Sequence, residues 1–497
     1  MTERYESLSS MGRRKARRAW GVALLLSFAA LPTASARPQQ AAGSASQDAS
    51  ELDRQFQSAA ARFDAGDYAA AEQEVRPLLE RAPDNSQVNE LAGLIYAAQG
   101  KDREASPYLE KAVRLDPKSG AAHTNLAADL ARLGDNARAE AEFRKALELE
   151  PKSFEANHDL AEFYVRLGKF QAAIPYFKQA RAIDPSSLEN RYDLALAELR
   201  AGQFDEARRE IQALVQQKDS AELHSLLADL EERAGNYLAS AHEYELAAHM
   251  DPSEDNIFTW GCELLLHATY EPASQVFAAG LERYPRSVPM ALGMGVALYG
   301  HGSYDKAVEV FLKATDLDPH DVRPYQFLAK VYDVSPSQAD AVTERMRRFV
   351  QIAPGSAQAN YDYAMSLWKA SRDSSQSASP GQVQPLLERA VALDPKFAQA
   401  YLELGILAAE QRQYPKAVER YRQAVQFDPN LVEAHYRLGQ ALGRLGETQA
   451  ASQELKIYER LHEKQMLDTE EKRNEIRQFV LTLQAPSNSP APGVASK

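Results

Sequence analysis

Cysteine is almost missing: Cys262 is the only one in 497 residues. A lone thiol excludes an intramolecular disulfide framework and any cysteine-based zinc cluster. Positive charge is also in deficit, with 57 basic against 70 acidic residues and a net charge of −13. That argues against a nucleic-acid binder, whose footprint should be basic. No phosphate-binding loop, dinucleotide glycine motif or Gly-x-Ser-x-Gly elbow occurs. The apolar run near the start, Ala19–Leu31, has 13 residues, short of the ~20 that span a bilayer comfortably. What is present is ordinary for a soluble folded chain: 44% apolar, 26% charged and 8% aromatic residues. Length alone suggests roughly three globular domains.

The first 36 residues read as a targeting segment. Arg13, Arg14, Lys15, Arg17 and Arg18 precede the apolar run, and Pro32 and Ala34-Ser35-Ala36 follow it. A basic cluster, a short apolar stretch and an A-x-A site make a secretory signal peptide cleaved after Ala36. An uncleaved anchor is the alternative. The chain from Arg37 onward carries 51 basic and 68 acidic residues, a charge of −17. The expectation is an exported acidic protein, periplasmic or secreted, with no membrane insertion after cleavage. Residues 37–50 are low in complexity and rich in Ala, Ser and Gln, so a disordered linker is expected there.

From there on the sequence repeats. Pro83, Pro117, Pro151 and Pro185 are spaced by 34, and Pro252, Pro285, Pro319, Pro354, Pro395 and Pro429 continue at 67, 33, 34, 35, 41 and 34. The interval of 67 is two periods, with Asp219 where a proline would fall. Six of these prolines follow an aspartate. Seventeen residues before the prolines stands glycine, at 66, 100, 134, 168, 235 and 302. Twelve before stands alanine, at 71, 105, 139, 173, 273, 307 and 417. Eight before is a large residue, as in Phe143, Phe177, Tyr244, Phe277, Phe311 and Tyr421. Five before is alanine again, at 112, 146, 180, 247, 314, 390 and 424. Earlier in the unit, large–small pairs recur: Leu126-Ala127, Leu160-Ala161, Trp260-Gly261 and Leu404-Gly405.

Each residue type has a physical reason. The glycine permits the left-handed conformation that ends a first helix. The small residues let antiparallel helices approach closely, and the large residue fills the gap between them. The proline stops one helix and sets the start of the next. The unit is a helix–turn–helix, repeated in register.

This pattern resembles the tetratricopeptide repeat family, over about residues 52–466 and twelve units. The resemblance implies an all-α, right-handed superhelical solenoid with a concave groove. The ninth and tenth units depart from the pattern: Ser337 stands at the turn glycine of the ninth, and Ser371–Gln382 inserts a Ser-rich loop in the tenth. The solenoid is assigned to 51–466, a C-terminal capping helix to 467–484 and a disordered tail to 485–497.

Catalytic constellations are not evident. His242 and His249 lie seven apart with Glu243 between them, whereas a metalloprotease helix needs a spacing of four. They read as surface or inter-helix histidines, and Cys262 reads as a small buried hydrophobe. No enzyme, cofactor or metal is expected. The resemblance implies that first helices line the groove through their second, fifth, sixth, ninth and twelfth positions. Units three to five then offer Thr124, Asn125, His158, Asp159, Glu162, Tyr192 and Asp193. Units seven to ten offer Phe258, Cys262, Leu265, Leu292, Val296, Tyr299, Phe327, Tyr361, Met365 and Trp368, and the last unit Tyr436, Arg437 and Arg444. The Lys, Asn and Arg trio of the family's chaperone-tail clamp is missing, and only Asn125 fits an asparagine ladder. The functional expectation is a protein-interaction scaffold holding a peptide or protein segment in the groove, with no nucleic-acid partner. The alternatives are a structural subunit of an envelope secretion or polysaccharide-export assembly, and an unrecognised enzyme. Phe258, Tyr299, Phe327, Tyr361, Met365, Trp368, Asn125, Asp159 and Asp193 are the candidate partner contacts.

Overall fold

The computed structural model describes residues 41–331, 335–373 and 380–467. These form 24 α-helices and one 3-10 turn, with no strand among the described residues. The helices succeed one another as α1 (Ala41–Asp64), α2 (Tyr68–Arg81), α3 (Ser86–Ala98), α4 (Asp102–Leu115), α5 (Gly120–Leu133) and α6 (Asn136–Leu149). Next come α7 (Phe154–Arg166), α8 (Phe170–Ile183), α9 (Leu188–Arg200), α10 (Phe204–Gln217), α11 (Ala221–Ala234) and α12 (Tyr237–Met250). Then follow α13 (Glu254–Leu266), α14 (Tyr270–Arg283), α15 (Val288–His301), α16 (Tyr304–Leu317), α17 (Arg323–Val331) and α18 (Ala339–Ile352). The last six are α19 (Ala357–Asp373), α20 (Pro380–Leu393), α21 (Ala398–Glu410), α22 (Tyr414–Phe427), α23 (Val432–Arg444) and α24 (Thr448–Leu467). Odd-numbered helices are the first helices of the twelve units that the period marks. Two compact units are present, one ending at Gly235 and the other starting at Asn236. Within each, helices pack on their chain neighbours, and first helices of consecutive repeats also touch.

The repeat's residue types do physical work at both ends of the helices. In five Asp-Pro pairs the aspartate Oδ1 accepts the amide two residues on, as Asp184 does from Ser186 at 2.9 Å. This is an Asx-turn, and it holds the proline in the bend. A serine then caps the next helix: Ser119, Ser153, Ser187, Ser220, Ser253 and Ser287 each accept an amide three residues on. Such a cap stabilises by roughly 1 kcal/mol. Six residues after the repeat proline, a side chain reaches back to its carbonyl. Asn89, Asn157, Tyr325 and Tyr401 donate to it, and His123 and His435 place Nε2 against it.

The interior is a small-to-large contact repeated down the chain. Every alanine twelve before the proline is 0% exposed, and Phe143, Phe277 and Phe311 are equally buried. Gly261 and Gly405 sit so close to the rings of Phe277 and Tyr421 that a Cβ there would lie 2.5 Å from ring carbons. Gly293, in the following repeat, faces the other side of Phe277. One aromatic thus wedges its own repeat and the next.

Several boundaries differ from expectation. Residues 41–50, expected as linker, belong to α1, where no proline stops the helix and continuing it adds a hydrogen bond per residue. The Ser-rich insertion is shorter than 371–382, since α19 runs through Asp373 and α20 starts at Pro380. Pro380 suits a first helical position, where no amide donor is needed. In the ninth repeat the described part of α17 spans nine residues, and a 3-10 turn, Pro336–Gln338, precedes α18. Ser335 Oγ donates to Asp305 Oδ1 at 2.5 Å and Gln338 Nε2 to the Asp305 carbonyl at 2.9 Å. The last repeat's second helix, α24, extends to 20 residues. The signal peptide at 1–36, the capping helix at 467–484 beyond Leu467, and the tail at 485–497 lie outside the described residues.

The turn between paired helices takes a left-handed residue. Gly202 and Gly446 adopt positive φ beside the six glycines counted from the sequence. Ala268 and Arg412 occupy the same repeat position with φ of 57° and 61°. A side chain there costs roughly 1–2 kcal/mol. Ala268→Gly and Arg412→Gly should therefore each stabilise the protein by about 1 kcal/mol, and thermal melts of the two variants check this.

Candidate functional site

Equivalent positions of consecutive first helices stand side by side, so polar residues one repeat apart meet. In unit 1, Asn125 Nδ2 donates to Glu90 Oε1 at 2.7 Å, across 35 residues of sequence. His158 on α7 meets Asp193 on α9 across the same interval, with Nε2 3.8 Å from Oδ2. Glu162, one turn beyond His158, brings Oε1 to 3.9 Å of the same nitrogen.

The imidazole is held from three sides. Its Nδ1 lies 3.1 Å from Asn190 Oδ1, and Asn190 in turn gives Nδ2 to the Phe177 carbonyl at 3.0 Å. Phe154 stacks on the ring at 5.5 Å and Phe177 meets it edge-on at 5.5 Å. Only 8% of His158 is exposed. Burial pushes the carboxyls of Glu90, Asp159, Glu162 and Asp193 above the usual range. Neighbouring acids add to this: Glu162 and Glu155 act on Asp159, and Glu162 and Glu189 on Asp193. Tyr192, half-buried beside Glu222, has its phenol raised mainly by burial. Thr124 is buried and donates to the Gly120 carbonyl at 3.1 Å. It therefore serves its own helix.

Unit 2 divides the apolar candidates by depth. Phe327 is 1% exposed and stacks on Phe311 at 5.3 Å. It is a core residue, as are Cys262, Leu265, Leu292 and Val296. The groove expectation is corrected for these five, because the neighbouring repeat closes over them. Phe258, Tyr299, Tyr361, Met365 and Trp368 are half-buried. Phe258 tilts against Phe277 at 6.1 Å, Tyr299 against Tyr304 at 5.3 Å, and Tyr361 against Phe397 at 5.0 Å. Tyr361 and Trp368 both pack on the core formed by Ala364, Val383 and Leu387. Tyr436 is 36% exposed and tilts on Tyr458 at 5.0 Å, while Arg437 pairs with Glu433 at 3.0 Å. His242 and His249 are exposed and flank Glu245 at 3.7 and 3.8 Å.

The chain belongs to the tetratricopeptide repeat family. Models described as tetratricopeptide repeat match residues 56–122, 124–187, 165–230, 259–322 and 386–419, and one described as TPR repeat matches 407–446. Protein O-mannosyl-transferase TMTC3 of Mus musculus is 25% identical over 187 residues, 35% of this chain and 20% of that protein. The chain thus spans about a fifth of that relative's length. A tetratricopeptide repeat protein from Parabacteroides merdae is 22% identical over 46% of this chain and 92% of its own, with a TM-score of 0.36. YrrB, described as a TPR protein with an unusual peptide-binding site, is 17% identical over 37% and 94%, with a TM-score of 0.34.

Asp362, next to Tyr361, was not among the expected contacts. It is 6% exposed, accepts from Gln358 Nε2 at 2.7 Å through Oδ1, and leaves Oδ2 without a hydrogen-bond partner. Burial raises its carboxyl to about 7, against the opposing charge of Lys330. An acid raised above its unfolded value of about 3.9 loses stability as pH climbs between the two. Below that window the folded and unfolded states are both protonated and the penalty vanishes. Asp362→Asn should therefore melt later than the parent at pH 8, by at most about 4 kcal/mol, and nearly with it at pH 4. Melting curves across that range check the sign.

Proposed function

We propose that the protein is an exported, non-catalytic interaction scaffold that holds a peptide or protein segment against the first-helix face of its repeats. The observation that carries this reading is the stripe Tyr361, Met365 and Trp368 on α19. Spacings of four and three put all three on one side of the helix. The stripe lies half-buried, packed at the root and open at the rim, while Ala359, Asn360, Ala364 and Ser366 of the same helix are buried. Half-open aromatics with a rigid base are the residues that dominate interface energetics. The carboxylates of unit 1 would favour a partner carrying positive charge.

The test is capture of partners on the immobilised full chain and on Tyr361→Ala and Trp368→Ala variants, with melting curves alongside. Each variant should lose at least about 1–2 kcal/mol of affinity for a captured partner. The fall in stability should stay below the ~3–5 kcal/mol of a fully buried aromatic. Unaltered capture by both variants would remove the stripe from the binding surface.

Export is the second part of the proposal and rests on the basic cluster, apolar run and Ala34-Ser35-Ala36. The protein recovered from its native host should begin at Arg37. N-terminal sequencing decides it, and an intact Trp20–Leu31 segment would mean an anchor.

A further inference from the structure

We propose that His158, Glu162 and Asp193 form a site for one divalent transition-metal cation, bridging the fourth and fifth repeats. Nothing in the repeat's packing needs these three residues together, and their geometry is that of a ligand set. His158 and Glu162 share one face of α7 at a spacing of four, and Asp193 comes from the facing side of α9. The three donor atoms all lie within 4.8 Å of one another.

The argument turns on which imidazole nitrogen carries the proton. The Phe177 carbonyl can only accept, so the Asn190 amide must turn its NH2 toward it and its oxygen toward His158. Nδ1 of His158 is therefore the donor, and in the neutral ring Nε2 presents a lone pair. That lone pair points between two carboxylates, at 3.8 and 3.9 Å. Three acceptors converge, and the ring cannot swing aside, being fixed between Phe154 and Phe177. A cation satisfies all three at once. An imidazole oriented by a hydrogen bond at its other nitrogen is the arrangement by which proteins prepare a histidine for metal.

One imidazole and two carboxylates suit zinc or manganese better than calcium or magnesium, which prefer all-oxygen sets. Zinc bonds of about 2.0–2.2 Å place tetrahedral ligands roughly 3.3–3.6 Å apart, so each carboxylate would close on Nε2 by only a few tenths of an ångström. The Glu162 and Asp193 side chains are 35% and 25% exposed, which leaves a coordination position open to water or to a partner's side chain.

The test uses the full chain, stripped with chelator and dialysed, then titrated with Zn2+ alone in competition with a chromophoric chelator. One equivalent should bind, and the melting temperature should rise with it. Glu162→Gln and Asp193→Asn, which keep side-chain size, should each weaken binding at least about tenfold, as should Asn190→Ala through the imidazole. The double variant Glu162→Gln/Asp193→Asn should lose both the equivalent and the melting shift while keeping the parent's far-ultraviolet dichroism. Equal zinc binding by the parent and the double variant would overturn the proposal, since the metal would then sit on other histidines. A parent that binds none would overturn it as well. If the double variant unfolds, the two single variants decide by the same measure.

Discussion

A large side chain on each second helix, seated on a missing Cβ or a methyl of the first helices, is the contact from which the rest follows. Phe277 shows it most fully: one ring closes on Gly261 in its own repeat and on Gly293 in the next. Intra-repeat and inter-repeat distances are therefore set by the same residue. That is why the chain needs no distant contacts and why stability is nearly a sum over neighbours. It also fixes register. With every wedge in the same place, position for position, each first helix lies beside its successor at a repeat of 33 to 35 residues, save the 41 of the tenth.

Register is what creates the chemistry of unit 1. No local motif marks His158, Glu162 and Asp193, which come from two helices joined only through α8. They meet because positions offset by one residue in consecutive repeats become neighbours, as Glu90 and Asn125 also do. The close approach permitted by the small residues leaves such side chains only partly in solvent, Glu162 at 35% and Asp193 at 25% exposed. Burial and like charge then act together, and the carboxyls rise. In unit 2 these positions are mixed: Tyr361 and Met365 stand half-buried where unit 1 has His158 and Glu162, and Asp362 again places an acid at the position of Asp193.

The fold was legible because its rules concern single positions counted from a proline. Turn, wedge and small-residue positions could all be read off, down to the exceptions. Counting seventeen back also reaches Ala268 and Arg412, although neither residue type announces a left-handed backbone. The site was less legible, for a physical reason. Helical spacing gives the angle of a side chain around its axis, but the neighbouring repeat decides its depth. Phe327 and Tyr361 both fall on the first-helix face by spacing, yet one is sealed under Phe311's repeat and the other stays half open. The reach of donors six residues past the proline was readable as a recurring Asn, His or Tyr. Composition alone misjudged residues 41–50, where low complexity coexists with a helix that nothing interrupts.

Buried carboxylates on this face demand a reason outside folding. Replacing a buried charged cluster by apolar groups of similar volume is often neutral or stabilising by about 1–4 kcal/mol. The wedge contacts already hold the helices, and they involve none of Glu90, Asp159, Glu162 or Asp193. At the position of Asp159 and Asp193 α21 also carries a carboxylate, Glu403, whereas the position of Glu162 is taken there by Ile406. Asn190 sharpens the point. It is fully buried and spends its amide on the Phe177 carbonyl and on one ring nitrogen of His158. A residue so placed fixes the direction of the imidazole, and a ring aimed between Glu162 and Asp193 is ready for a positive charge to join the one that Arg166 already brings to Glu162 and Asp159.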